Sequence, residues 1–136
     1  MTPETAVKLE AAKAHAAELR LLTDRLNAML VEAEQALIAI NLGVPGWVAL
    51  ELNISLRFMK GGGSWGLYVL SEGHSREQLT PILKASRRLR SASASALGSL
   101  LDDLISRTCL EKEEVQRGIR DADQFLDRIR PDGANQ

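Results

Sequence analysis

Residues 47–58 read WVALELNISLRF, and every even position in this stretch is apolar. The odd positions from Ala49 to Arg57 are small, polar or charged. Strict alternation is the pattern of a β-strand with one buried face. A glycine run at 61–63 follows, and then a second apolar stretch, WGLYVL, at residues 65–70. Two such stretches joined by glycines predict a two-stranded antiparallel β-hairpin over residues 47–71.

A long helix, α1, is predicted before the hairpin, over residues 3–41. Thr2 followed by Pro3 is a favoured helix start, and Gly43 with Pro45 is a typical stop. Apolar and small residues recur at alternating steps of three and four, which is the spacing of a heptad seam, and Leu30 and Leu37 widen that seam. We call this set the α1 seam: Ala12, His15, Leu19, Leu22, Leu26, Met29, Ala33, Ala36 and Ile40.

The length of this helix exceeds the size expected for the whole chain. At 1.5 Å per residue it measures about 57 Å, whereas a compact chain of this length has a diameter of about 35–40 Å. The helix must therefore overhang a spherical monomer. Either the molecule is elongated, or a second chain covers the overhang.

The second half of the chain is predicted to be two antiparallel helices. Thr80 and Pro81 have the pattern of a helix start, which predicts a helix over 81–106. Thr108 and Glu111 have the spacing of a second capping box, which predicts another helix over 109–130, with one continuous helix as the alternative. Residues 131–136 are expected to be a loose tail. The predicted class is α+β and predominantly helical, in the order helix, two strands, helix, helix, within a single domain.

The hairpin is expected to need a partner. An isolated hairpin is marginal in water and leaves backbone groups unpaired at its edges. Pairing with the same hairpin of a second copy would remove one edge from each chain, so a homodimer is predicted. The expected dimer or partner contacts are Trp65, Tyr68, Leu19, Leu22 and Leu26.

Charge is distributed unevenly although the net charge is only −1. Residues 76–90 are strongly basic, and residues 102–114 are acidic. Such a pair of regions can bind an anionic partner, can set the direction in which helices or chains pair, or can be ordinary surface charge. The residues named for an anion or partner contact are Lys84, Arg87, Arg88 and Arg90.

Residues suited to catalysis are few. His15 lies on the helix seam, His74 lies in a predicted loop, and Cys109 is the single cysteine. One cysteine excludes an intrachain disulfide and a cysteine-based zinc cluster, so neither a metal nor a cofactor is expected. The chain shows no signal peptide and no apolar run of membrane-spanning length. A cytoplasmic protein without membrane contact is therefore expected.

These observations predict a non-catalytic protein-interaction module, a homodimeric helical adaptor, chaperone-like or regulatory protein that binds another protein. The alternative is a nucleic-acid-associated protein that uses the basic helix residues, although the net charge disfavours it. A small enzyme that uses His74 is the remaining possibility.

Overall fold

The computed structural model describes residues 1–73 and 76–130, which form two long helices and a four-stranded sheet. The strands are all antiparallel, and they follow one another across the sheet in chain order. The elements are α1 (Pro3–Ile40), β1 (Gly46–Glu51), β2 (Ile54–Gly61), β3 (Ser64–Glu72), β4 (Glu77–Pro81), a 3₁₀-helix (Ile82–Lys84) and α2 (Arg87–Ile129).

The predicted two-stranded hairpin over 47–71 is wrong, because residues 47–58 form two strands rather than one. Glu51 pairs with Ile54, so a two-residue turn separates β1 from β2. Asn53 occupies the left-handed region there, with φ of 61°, which asparagine tolerates better than most residues. The register shifts by one residue between Ala49 and Glu51, so even positions of β1 lie opposite even positions of β2 and share their face. Alternation therefore runs through the turn unbroken and does not reveal it.

The second turn lies where glycines were expected to place it. Gly61 pairs with Ser64, and the two glycines between them have φ of 58° and 92°. Positive φ at both central residues is the requirement of the tight hairpin turn that matches strand twist.

The fourth strand replaces the start of a predicted helix. Residues 81–106 were expected to form a helix that Thr80 caps, but β4 pairs with β3 through Pro81, which lies opposite Tyr68. Proline is tolerated there because β4 is an edge strand. Helix α2 starts later: Ser86 is its N-cap, and the Ser86 hydroxyl accepts a hydrogen bond from the Leu89 N–H at 3.2 Å.

The predicted break between helices 81–106 and 109–130 is also wrong, since α2 is continuous over 43 residues. The Thr108 hydroxyl donates to the Leu104 carbonyl at 2.7 Å. It therefore bonds back into its own helix, as threonine does in helix interiors, and does not cap a new one.

One face of the sheet carries the core, and both helices pack on it. Leu56 and Phe58 of β2 lie opposite Val69 and Leu67 of β3. On α1 the buried residues are Leu30 and Leu37, which the sequence placed beside the seam rather than on it. The core cluster contains Leu30, Leu37, Leu56, Phe58, Leu67, Val69, Ile82, Leu100 and Leu104.

Both helices are much longer than the sheet that they cover. Residues 3–22 of α1 and residues 109–129 of α2 are exposed throughout. We call these segments the α1 overhang and the α2 overhang. Each measures about 30 Å at 1.5 Å per residue.

The two overhangs leave the sheet at opposite ends. Arg90 donates to the Asn27 side-chain oxygen at 2.7 Å near the start of α2. Leu42, just after α1, lines a notch with Thr108 much later in α2. The helices therefore run in the same general direction, so the start of α1 and the end of α2 project away from each other.

Replacing Leu30 with alanine tests the position of the core on α1. Leu30 is 0% exposed, whereas Leu21 of the same helix is 71% exposed. Leu30→Ala should lower the free energy of unfolding by about 3 kcal/mol through lost burial and a cavity. Leu21→Ala, the matched control, should change it by less than about 0.5 kcal/mol. Urea unfolding followed by circular dichroism measures both, and similar losses would contradict this assignment of the core.

Candidate interaction surfaces

A carboxylate from α2 binds the outer edge of β1 at Trp47. The Trp47 N–H donates to Asp103 Oδ2 at 2.8 Å, and the Arg107 Nε donates to the same oxygen at 2.7 Å. Gly46 makes this approach possible, because a Cβ there would lie 2.7 Å from a Leu104 methyl carbon and 3.0 Å from Asp103 Oδ2. Partial burial raises the pKa of Asp103, but the bonds from Trp47 and Arg107 outweigh burial and hold that pKa below its usual value.

A second carboxylate closes a gap beside β3. Strand β4 ends at Pro81, opposite Tyr68, so the Leu67 N–H lies beyond the end of β4. Glu34 of α1 accepts that N–H through Oε2 at 2.8 Å. Gly66 leaves room for this carboxylate, since a Cβ there would lie 3.0 Å from Glu34 Oε2.

These contacts change the argument for a partner at the sheet edge. The β2–β3 hairpin lies in the middle of the sheet, because β1 and β4 flank it. Pairing with the hairpin of a second copy is therefore not needed to complete a four-stranded sheet. Any case for a second copy has to rest on other surfaces of the chain.

The sheet face opposite the helices is open and has an arginine near its centre. Trp47, Arg57 and Tyr68 lie side by side on three successive strands. The Arg57 guanidinium lies 5.2 Å from the centre of the Trp47 ring, donates to Ser55 at 3.1 Å and lies 3.9 Å from Glu72. Arginine, tryptophan and tyrosine are the residues most enriched at the energetic centres of protein interfaces. Sequence reasoning did not single out Arg57, although its place in the alternation assigned it to the polar face.

The two aromatic residues predicted as contacts lie on different faces. Trp65 lies on the helix side, where it stacks on Phe58 with ring centres 5.4 Å apart. Tyr68 lies on the open face and donates its hydroxyl to the Gly61 carbonyl at 3.0 Å. Its ring covers Gly61, where a Cβ would meet the ring at 2.7 Å. Only Tyr68 therefore contributes to the open face.

The four predicted basic residues do not act as one free patch. Arg88 donates to Glu51 at 2.7 Å, which lowers the pKa of Glu51 through that hydrogen bond. Arg90 is held by Asn27, and its Nε is buried. Lys84 and Arg87 are exposed, and they lie at the end of the molecule where α2 begins. This end is also where the α1 overhang leaves the sheet.

The leucines predicted as contacts on α1 lie where the helix leaves the sheet. Leu26 packs against the core, whereas Leu19 and Leu22 are exposed. Leu22 is 61% exposed. Leu19 shares a face of α1 with Leu26 and Leu30, so it extends the buried face beyond the sheet, and among residues 1–73 and 76–130 it remains 44% exposed.

Helix α2 carries a second stripe of mostly exposed residues, which we call the α2 seam. Its residues alternate by steps of four and three, as in a heptad repeat. The capping-box interpretation cut this stripe in two and obscured it, although the spacing is visible in the sequence. The α2 seam contains Leu101, Ile105, Thr108, Lys112, Val115, Ile119, Ala122, Leu126 and Ile129.

An apolar notch lies at the start of the α2 overhang. It has a volume of about 280 Å³ and lies between the segment after α1 and helix α2. Leu42, Val44 and Val115 supply its apolar walls, and Glu111 and Lys112 stand among its lining residues.

The residues considered for catalysis do not come together. His15 lies exposed on the α1 overhang, and Cys109 lies exposed at the root of the α2 overhang. His74 and the tail 131–136 lie outside the described residues. Among residues 1–73 and 76–130, no three histidine, cysteine or acidic side chains form a group that could hold a metal ion.

Comparison of the chain with family models, with curated proteins and with solved structures gives no match. In the part of the chain that the structure describes, neither long helix contains a segment apolar enough to cross a bilayer. Inference about function therefore rests on the open sheet face, the two overhangs and the notch.

Replacing Asp103 with asparagine tests the carboxylate that binds the edge of β1. The folded-state pKa of Asp103 lies below its ordinary value of 3.8. Its ionised form therefore stabilises the fold above about pH 4, and this contribution is lost as the pH falls through the folded-state pKa. At pH 7 Asp103→Asn should lower the free energy of unfolding by about 1 kcal/mol, and the difference from wild type should shrink in acid.

The neighbouring exposed carboxylate supplies the control. Asp102→Asn makes the same chemical change one residue away, and it should alter the free energy of unfolding by less than about 0.5 kcal/mol. Denaturant unfolding at pH 3 and pH 7 measures both variants. An equal loss in the two variants would show that Asp103 has no special role.

Proposed function

We propose that this chain is a non-catalytic protein-interaction module that works as a homodimer, in the manner of a helical adaptor, chaperone-like or regulatory protein. The observation that carries the proposal is the pair of apolar seams on the overhangs. Ile119 is 63% exposed and Val115 is 55% exposed, and both lie on the α2 overhang, whose residues 109–129 are all exposed. Contiguous exposed apolar surface of this kind marks interaction sites in soluble proteins.

The heptad spacing favours another helix as the partner of these seams. Residues at alternating steps of three and four present a narrow apolar stripe that suits the side of a second helix. Each chain has two such stripes on helices of similar exposed length. A second copy therefore supplies matching helices without any further component.

The open sheet face is the surface that we assign to another protein. Both helices pack on the opposite face, so self-association through the seams would leave Trp47, Arg57 and Tyr68 accessible. Their composition supports protein binding.

Nucleic-acid binding is the alternative function, and it would use Lys84 and Arg87. Arg88 and Arg90 already bind groups of the same chain, which reduces the charge free to meet phosphates. A salt titration of binding to random DNA and RNA separates the two functions. Affinity that falls steeply with salt would favour nucleic acid, whereas no binding at low salt would remove this alternative.

Replacing Ile119 with glutamate tests self-association through the α2 seam. Light scattering of the wild-type protein should give the mass of two chains. Because each dimer would bury two copies of Ile119, Ile119→Glu should weaken the dimer about 100-fold, which corresponds to roughly 3 kcal/mol of lost apolar burial.

Leu110 supplies the matched control on the same overhang. It is 61% exposed, and it lies two and a half turns from Ile119, hence on the opposite side of the helix. Leu110→Glu should leave the dimer intact. A wild-type protein that stays a folded single chain at micromolar concentration would overturn the proposed function.

A further inference from the structure

The direction of the overhangs limits how two copies can pair by a two-fold axis. The α1 overhang leaves the sheet at the Arg90 end, and the α2 overhang leaves at the Thr108 end. Two copies joined end to end could pair their α1 overhangs or their α2 overhangs, and each choice leaves two overhangs bare. Two copies placed side by side and antiparallel pair each α1 overhang with the α2 overhang of the other copy.

We infer that two copies pair side by side and antiparallel, so that the α1 overhang of each lies along the α2 overhang of the other. This inference rests on the proposed homodimer and adds its arrangement. This arrangement covers both seams of both chains. It needs only one two-fold axis, which is the usual symmetry of a soluble homodimer.

Charge supports this arrangement over the two end-to-end ones. The α1 overhang leaves the sheet beside Lys84 and Arg87, which are exposed. The α2 overhang begins with three acidic residues, Glu111, Glu113 and Glu114. Only the side-by-side arrangement brings the acidic start of one α2 overhang next to the basic end of the other copy. Complementary charge of this kind selects the direction of pairing.

Residues of α1 and α2 that lie at the same height in the molecule indicate which seam residues face each other in this arrangement. Asn27 lies level with Arg90, and Leu42 lies level with Thr108. A two-fold axis through the middle of these packed segments places Leu19 of one copy opposite Val115 of the other. His15 then lies opposite Ile119, so seam residue meets seam residue along the pair, as antiparallel helices require.

The notch and the flanking charges fit the same register. Leu19 and Leu22 of the second copy face the notch, whose apolar walls include Val44 and Val115. Beside the seam, Arg25 of one copy lies near Glu111 of the other. In this arrangement, the exposed leucines of the α1 seam of one copy therefore pack into the notch of the other copy.

The single cysteine reports on this arrangement directly. Cys109 is exposed beside the α2 seam, and the register places it next to Thr23 of the other copy. Thr23→Cys should therefore give a disulfide-linked dimer on mild oxidation, in at least tenfold higher yield than the wild type. Leu9→Cys lies two heptads away on the same face and should give little linked dimer. Adding Cys109→Ser to Thr23→Cys should abolish the link.

The possible outcomes test the antiparallel arrangement separately from the proposed homodimer. Linked dimer that persists after Cys109→Ser would mean that the α1 overhangs pair with each other. Linked dimer in the wild type through Cys109 alone would mean that the α2 overhangs pair. Absence of a link in a Thr23→Cys protein that light scattering shows to be dimeric would also overturn the arrangement, and all three results leave the proposed homodimer intact. A protein that light scattering shows to be a single chain overturns both.

Discussion

The architecture depends on a mismatch of length between the helices and the sheet. Strands of five to nine residues reach about 17–30 Å at the usual rise per residue. Helices of 38 and 43 residues are about 57 and 65 Å long. A single apolar sheet face therefore covers only about half of either helix. The remainder continues the same heptad spacing into solvent, which is why self-association is the central feature of the proposed function.

Polar contacts between the helices and the sheet determine where each overhang begins. Asp103 holds α2 against the edge of β1, and Glu34 holds α1 against β3. Arg88 reaches Glu51 at the far end of β1. Because hydrogen bonds are directional whereas apolar contact is not, these side chains fix the helices along the sheet. The places of the exposed leucines and of the notch follow from that placement.

The two faces of the sheet have different roles in this picture. The helix face holds the core, and in the proposed homodimer the seams beyond it contact a second copy. The opposite face of the same strands carries the row of Trp47, Arg57 and Tyr68, and neither helix packs on that face. A dimer built through the helices would present this row twice, once on each copy. Such a pair of identical surfaces suits an adaptor, since two linked sites raise the effective concentration of whatever they bind.

The sequence by itself determined the long first helix, the tight turn at Gly62 and Gly63, and the apolar seam on the first helix, which is too long for one compact chain. These features depend on local spacing and on residues that few other conformations accept. Alternation could not reveal the turn at Asn53, because the register shift between Ala49 and Glu51 keeps even positions of both strands on one face.

Only the tertiary structure decided that residues 77–81 form a strand, that α2 runs unbroken past Thr108, and that Leu30 and Leu37 are buried while Leu22 is exposed. Each of these depends on what lies across from the residue in space. Pro81 is part of a strand because β3 offers it an edge, and Thr108 bonds to Leu104 because the helix around it continues. The carboxylates of Glu34 and Asp103 could not be predicted as partners of Leu67 and Trp47, since those pairs are brought together only when the helices pack on the sheet.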